Sequence, residues 1–141
     1  MMATLCLALS GCERQAELGE VAGTVTLAGR PLSGVQVVFL PEPVPNQDSP
    51  PRSTAITDDA GRYRLLCDDG APGAAVGPHI VVILDLTLDA PVVAKGSDAE
   101  NVPSPRAKPR LKSVYQSAAT SPLRKSVKLG EQTIDLQLEA P

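Results

Sequence analysis

Apolar and polar side chains alternate in several short stretches of this 141-residue chain, and a period of two is the pattern of a β-strand with one buried face. The stretch 20–28 alternates in this way and predicts a first strand. The stretch 35–40 is apolar on nearly both faces, which indicates a central strand. The stretch 79–86 has the strongest strand pattern of the chain, and we expect it to lie deep in a sheet.

The stretch 53–66 contains two alternating segments that flank Asp58-Asp59-Ala60-Gly61. A turn sequence between two alternating segments predicts a β-hairpin. Gly61 stands where a short hairpin loop needs a positive φ, and the aspartate side chains can cap the amides of the turn. We expect this hairpin to organise the rest of the domain.

The remaining pattern is less regular. Five of the eleven residues in 41–51 are proline, which predicts a solvated loop. Between 87 and 120 the alternation is lost among prolines and scattered charges, so we expect a long excursion rather than packed structure. A short edge segment at 120–123 and a closing hairpin over 127–138 complete the pattern.

The count is about seven strands with turn signals at short intervals, and no helical period separates them. This pattern predicts an all-β fold, a seven-stranded antiparallel β-sandwich, rather than a barrel or a parallel α/β domain. One small domain with appendages is sufficient for a chain of this length.

The N-terminal residues predict export and a lipid anchor. A short apolar run ends in Leu9-Ser10-Gly11-Cys12, which closely resembles the bacterial lipobox, where a signal peptide is removed and the new N-terminal Cys is acylated. By that resemblance 1–11 is the signal peptide, Cys12 carries the lipid, 12–19 is a tether and 20–139 is the folded domain. The alternative is a buried apolar strand or helix with an incidental Cys. No Lys or Arg precedes the apolar run, which suggests that the true start lies further upstream.

The chain has three cysteines, at positions 6, 12 and 67. If Cys6 leaves with the signal peptide and Cys12 is acylated, no intramolecular disulfide is possible. Cys67 is then expected to be a small buried apolar residue. Glu13, and not Asp, follows Cys12, which favours the outer membrane over the inner one.

Few side chains are available for catalysis or metal binding. His79 is the only His, so we expect it to open a strand, and we expect neither a zinc cluster nor a nucleophile and base pair. Six aspartates offer oxygen ligands for calcium: Asp58, Asp59, Asp68, Asp69, Asp85 and Asp89. Their spacing does not match an EF-hand, so capping of turns is the preferred interpretation. A net charge of −3 does not favour a nucleic-acid partner.

Several segments together resemble the carboxypeptidase regulatory-like domain, a transthyretin-like sandwich, in the form found on small bacterial lipoproteins. The main ones are G-T-V-T-L-A-G-R-P-L-S-G-V-Q-V-V-F from Gly23 to Phe39 and A-I-T-D-D-A-G-R-Y-R-L from Ala55 to Leu65. The resemblance implies a Greek-key sandwich that acts as a folding partner, adhesion module or binding module without catalysis. Related hydroxyisourate hydrolases need several His and Arg residues and a characteristic C-terminal tetrapeptide. The present chain has one His and ends in Leu-Glu-Ala-Pro.

A basic segment lies within the expected excursion. Eight basic and two acidic side chains lie between Lys95 and Lys128. Its centre predicts an extended, exposed basic arm in which prolines alternate with cations: Arg106, Lys108, Arg110 and Lys112. The arm is either a solvated loop or a contact for anionic lipid headgroups or envelope polymers.

We therefore expect a lipid-anchored, non-catalytic envelope protein without a cofactor, working as a structural or protein-interaction module. Its partners would be the membrane, through the anchor, and an unidentified envelope protein or polymer. The alternative is a carbohydrate- or peptide-binding receptor that uses loops or strand addition at an edge. Phe39, Tyr63 and Tyr115 are the only aromatic residues, and at least two look buried, which lowers the carbohydrate alternative.

Overall fold

The computed structural model describes residues 17–46, 48–88 and 108–141. The described part forms eleven short strands: β1 Leu18–Leu27, β2 Arg30–Pro31, β3 Val35–Pro41, β4 Ser53–Ile56, β5 Arg62–Arg64, β6 Leu66–Cys67, β7 Ala74–Ala75, β8 Gly77–Asp85, β9 Arg124–Val127, β10 Gly130–Thr133 and β11 Leu136–Leu138. A 3-10 helix, Ser113–Gln116, precedes β9. The expected signal peptide over 1–11, Cys12 and Arg106 lie outside the described residues.

The first sheet is built around β1, the longest strand. β10 and β11 pair with β1 in parallel and share one register, Ala22 opposite Thr133 and Val25 opposite Leu136, so they form one interrupted edge strand. β2, β5 and β7 pair with β1 in antiparallel orientation. Because β1 begins at Leu18, the folded domain starts two residues before the position that the sequence suggested.

The second sheet has the order β6-β4-β3-β8-β9, and all its neighbouring strands are antiparallel. β3 lies between β4 and β8, which confirms the central strand expected at 35–40. β8 lies between β3 and β9, which confirms the deep position expected for 79–86. Successive residues are buried in both strands, 37–39 in β3 and 81–83 in β8, so both faces of each strand are covered. Burial of both faces is the reason why the two sequences are almost continuously apolar.

The two sheets enclose an aliphatic core. Completely buried side chains come from both of them, including Val21 and Val25 on β1, Val37 on β3 and Ile83 on β8. The all-β sandwich expected from the alternation is confirmed. The sequence predicted seven antiparallel strands, whereas the described residues form eleven short ones. The last two, β10 and β11, run parallel to β1.

The stretch 53–66 forms a divided hairpin. Its tip is as expected, with Gly61 at φ +73° and the side chain of Asp58 accepting the backbone N–H groups of Ala60 and Arg62, both at 2.9 Å. β4 and β5 nevertheless belong to different sheets, and the arms pair again only at β6. An alternation with a period of two specifies which face of a strand is buried, but it does not specify which strand pairs with it. The sequence could therefore not show this division.

The closing hairpin is a wrong prediction. β9 pairs with β8 in the second sheet, whereas β10 and β11 pair with β1 in the first. The residues between them therefore cross from one sheet to the other. The side-chain amide of Gln132 stabilises this crossing, because it accepts the N–H of Lys128 at 3.1 Å and donates to its carbonyl at 2.6 Å.

The excursion expected over 87–120 is wrong in its last part. Leu111 and Tyr115 are buried in the core, and the 3-10 helix lies against β8. The segment 120–123 is not a strand, although it forms hydrogen bonds with β8. Ser121 Oγ donates to the carbonyl of Val81 at 2.5 Å, and the N–H of Val81 donates to the carbonyl of Leu123 at 2.9 Å.

Candidate functional site

Arg110 and Asp85 form the most extensive polar contact among the described residues. Asp85 ends β8 with a side chain that is only 1% exposed, and it accepts two hydrogen bonds from Arg110, Nε to Oδ2 at 2.8 Å and Nη2 to Oδ1 at 2.6 Å. Arg110 also donates to the carbonyl of Ser33 at 3.2 Å, and Thr87 donates its hydroxyl and N–H to Asp85. A bidentate guanidinium contact is the strongest form of this interaction.

The hydrogen bonds from Arg110 and Thr87 outweigh the effect of burial and lower the pKa of Asp85 to about 2. The same pairing raises the pKa of Arg110. The pair joins the end of β8 to the segment that begins at residue 108, so its role is structural. We call the pair of Asp85 and Arg110 the clasp. The sequence did not reveal it, because 25 residues separate the two partners.

The four cations of the expected basic arm have different surroundings. Arg110 is held by Asp85, and Lys112 Nζ lies 2.7 Å from the carboxylate of Glu139, which raises the pKa of Lys112. Lys108 is exposed, and Arg106 lies outside the described residues. Arg110 therefore cannot offer its guanidinium to an external anion without giving up the clasp.

His79 is a core residue, 1% exposed, two positions after β8 begins. Its Nδ1 lies 2.9 Å from the carbonyl of Gly77, which only accepts, so this nitrogen carries the proton. Nε2 is buried without a hydrogen-bond partner among the described residues, and the ring packs 5.7 Å from that of Phe39. Burial lowers the pKa of His79 against smaller opposing effects of Gly77 and Glu42. His79 alternates with the buried residues Val81 and Ile83, and this period of two is the sequence signal from which its burial could have been predicted.

We expect acid to destabilise the protein through His79. The native state holds the imidazole neutral because its pKa is below the ordinary value of 6.5, so the free energy of unfolding should fall as the pH drops below 6.5. His79→Leu should remove this part of the pH dependence. Urea unfolding at pH 7, 6 and 5 measures it, and an equal decline in both proteins would contradict the assignment.

Cys67 is buried, as expected. Its Sγ lies 3.3 Å from Ser53 Oγ and 3.4 Å from the carbonyl of Gly73. Neither of these partners is a cation. Its surroundings are therefore those of a packing residue and not of a reactive thiol.

The aspartates serve turns and ion pairs. Asp58 caps the tip of the divided hairpin and Asp69 accepts the N–H of Ala71 at 2.9 Å, which confirms turn capping for these two. Asp68 pairs with Arg52 at 2.9 Å. Within the described ranges no three His, Cys, Asp or Glu residues come together as metal ligands, and Asp89 lies outside these ranges.

Tyr63 joins three elements of the first sheet. Its hydroxyl donates to the carbonyl of Ile134, between β10 and β11, and burial raises its pKa, with a further contribution from the charge of Asp135. The ladder between β1 and the edge strand is interrupted here, and Asp135 Oδ1 accepts the N–H of Thr24 at 3.0 Å instead. A Cβ added at Gly23 would overlap the carbonyl oxygen of Ile134, so the junction requires glycine.

The divided hairpin leaves a seam, which we define as the space between Ile56 on β4 and Arg64 on β5. The β4–β6 register would place these two residues opposite each other, yet β5 bonds to β1 there. Shallow depressions of about 470 and 520 Å³ lie on the two sides of the seam, and both are lined by Ile56 and Arg64. A third groove, of about 420 Å³, crosses the outer face of the first sheet over Ala22.

These features place the protein in the class of all-β sandwiches. Most of the polar contacts that the structure describes join one part of the fold to another. No helix in the described segments is long and apolar enough to cross a bilayer. A scan against protein-family models found no match, and searches of the curated proteins and of the solved structures found none either.

Proposed function

We propose that this protein is a non-catalytic β-sandwich of the bacterial cell envelope, anchored through a lipid on Cys12, that works as a structural or protein-interaction module. The proposal rests on one observation: the potentially reactive side chains that the structure describes are held by contacts with other parts of the fold. His79 faces Phe39 in the core, Asp85 is bound by Arg110, and Cys67 is enclosed by backbone and Ser53. Groups held in this way are unsuited to acid-base or nucleophilic chemistry on a substrate.

The position of the first strand supports a membrane-proximal domain. Only residues 13–17 separate Cys12 from the start of β1 at Leu18. Fully extended, this connection spans about 22 Å, so an acylated Cys12 would hold the sandwich close to the lipid surface. Two or more acyl chains provide stable anchoring, whereas one does not.

Cys12→Ser tests the anchor. We expect the unaltered protein to sediment with membranes and to be extracted by detergent, and the Cys12→Ser variant to be recovered with its signal peptide uncleaved and unacylated. Metabolic labelling with a fatty acid should mark the unaltered protein only. Cys67→Ser is the matched control and should be labelled normally, because it keeps Cys12 and loses only a buried thiol. Equal labelling of the Cys12→Ser variant would remove the anchor from the proposal.

Peptide binding is a second candidate, favoured by the seam. Ile56 is 62% exposed, and Arg62 and Arg64 form no ion pair within the described part of the chain. Exposed apolar and cationic groups beside unpaired strand edges suit an extended acidic peptide. Carbohydrate binding is less well supported, because all three aromatic residues of the chain are buried: Phe39, Tyr63 and Tyr115.

A further inference from the structure

One end of the sandwich combines the start of β1 with exposed apolar side chains. The carbonyl of Glu17 accepts the N–H of Val76 at 2.8 Å, which places Val76 beside the first described residue. Gly19 pairs with Gly130 in the parallel ladder, which places the preceding residue, Leu129, beside the start of β1 as well. We call Val76 and Leu129 the apolar tip.

The apolar tip is unusual for its exposure. Leu129 is 70% exposed, more than any other large apolar side chain among the described residues, and Val76 is 38% exposed. Single exposed apolar residues are normal on a soluble surface. Here two of them flank the point from which the chain leads to the expected lipid anchor.

The backbone of the tip is held in place. Gln132 forms both of its side-chain hydrogen bonds with Lys128, the residue before Leu129. Gly19 lies so close to the carbonyl of Lys128 that a Cβ there would overlap it. Leu129 is therefore presented from a fixed turn between two sheets, which reduces the entropy lost when its side chain enters a new environment.

The charges around the tip are mixed. Lys125 and Lys128 lie on or beside β9, while three acidic residues lie beside or on β1 and β10 of the other sheet: Glu17, Glu20 and Glu131. None of the five forms an ion pair within the described residues. Two basic and three acidic groups give no net attraction to anionic lipid, so the apolar side chains would determine any preference for a bilayer.

We propose that the apolar tip inserts Leu129 into the interfacial region of the lipid bilayer and so fixes the orientation of the anchored sandwich. This inference rests on the proposed function, because the tip is a weak membrane ligand by itself. Partial insertion of one Leu and one Val makes only a small contribution to membrane binding. That is too little to bind a free protein, but a tether makes the contact intramolecular, and about 1.4 kcal/mol already gives a tenfold preference for one orientation.

The test uses the absence of Trp from the chain. A single Trp can be introduced at the tip by Leu129→Trp, and at the opposite end of the sandwich by Ile56→Trp, where the side chain is also highly exposed. Both variants are prepared in the acylated protein and reconstituted into phosphatidylcholine vesicles with or without brominated acyl chains. Thermal unfolding first establishes that both variants are folded.

We expect the Trp at position 129 to emit at shorter wavelength than the Trp at position 56 and to be quenched at least threefold more strongly by the brominated chains. Adding anionic lipid should change this difference little. Equal quenching at both positions, or none at position 129, would overturn the inference.

The experiment separates this inference from the proposed function. Unacylated forms of both Trp variants that begin at residue 13, and so lack both the signal peptide and Cys12, should show no quenching at either position when added to the same vesicles, because the tip cannot bind without the tether. Vesicle flotation of the acylated protein reports the anchor independently of the fluorescence. Flotation without quenching at position 129 would refute the oriented contact and leave the anchored module intact, whereas failure to float would refute the anchor.

Discussion

Gly23→Ala is expected to destabilise the protein by about 3 kcal/mol or more, which is a large fraction of the roughly 5–15 kcal/mol that stabilises a typical domain. A methyl group at this position of β1 would overlap the carbonyl oxygen of Ile134 and lie 2.7 Å from its carbon. That carbonyl is also the acceptor for Tyr63, so movement of the edge strand would break a buried hydrogen bond. Urea unfolding followed by circular dichroism measures the loss.

Gly29→Ala is the matched control for Gly23→Ala. Gly29 has φ +82° and open space around its Cα, so only the cost of a left-handed alanine, about 1 kcal/mol, is expected. If both variants lost equal stability, close packing against Ile134 would not be the reason for glycine at position 23.

Arg110→Met is expected to destabilise the protein by about 2–4 kcal/mol at pH 7, because it leaves the carboxylate of Asp85 buried without its main partner. The lower part of this range allows for Arg110 itself being 33% exposed. The double variant Arg110→Met with Asp85→Asn should recover part of the loss, since it removes the unpaired charge. Lys112→Met, which breaks an exposed pair, should change the unfolding midpoint far less.

The clasp also predicts a dependence on acid. Since Arg110 and Thr87 lower the pKa of Asp85 to about 2 from 3.8, the clasp contributes its full stability above about pH 4. This contribution should be lost as the pH falls from 4 towards 2. The Arg110→Met variant should lack this component of acid unfolding, and an unchanged acid transition would show that Asp85 does not control it. The range lies below the one assigned to His79, so the two effects can be separated.

Arg110 shows how tertiary contacts change an interpretation of charge. From its neighbours along the chain it belongs to a basic, proline-rich arm available to anionic surfaces. In the structure its guanidinium is bound by Asp85 and Ser33. Lys108 remains exposed, and contact between an anionic surface and Arg106 or Lys108 stays a prediction.

Sequence alone determined the strands that are buried on both faces, the tip of the divided hairpin and the burial of Cys67, because each depends on local periodicity or on turn chemistry. Only the tertiary structure decided that β5 leaves β4 for β1, that the closing strands lie in different sheets, and that Leu111, Tyr115 and Arg110 are parts of the fold. The physical reason is that a period of two specifies the buried face of a strand, whereas its partner depends on which distant segment completes the hydrogen bonds and fills the core.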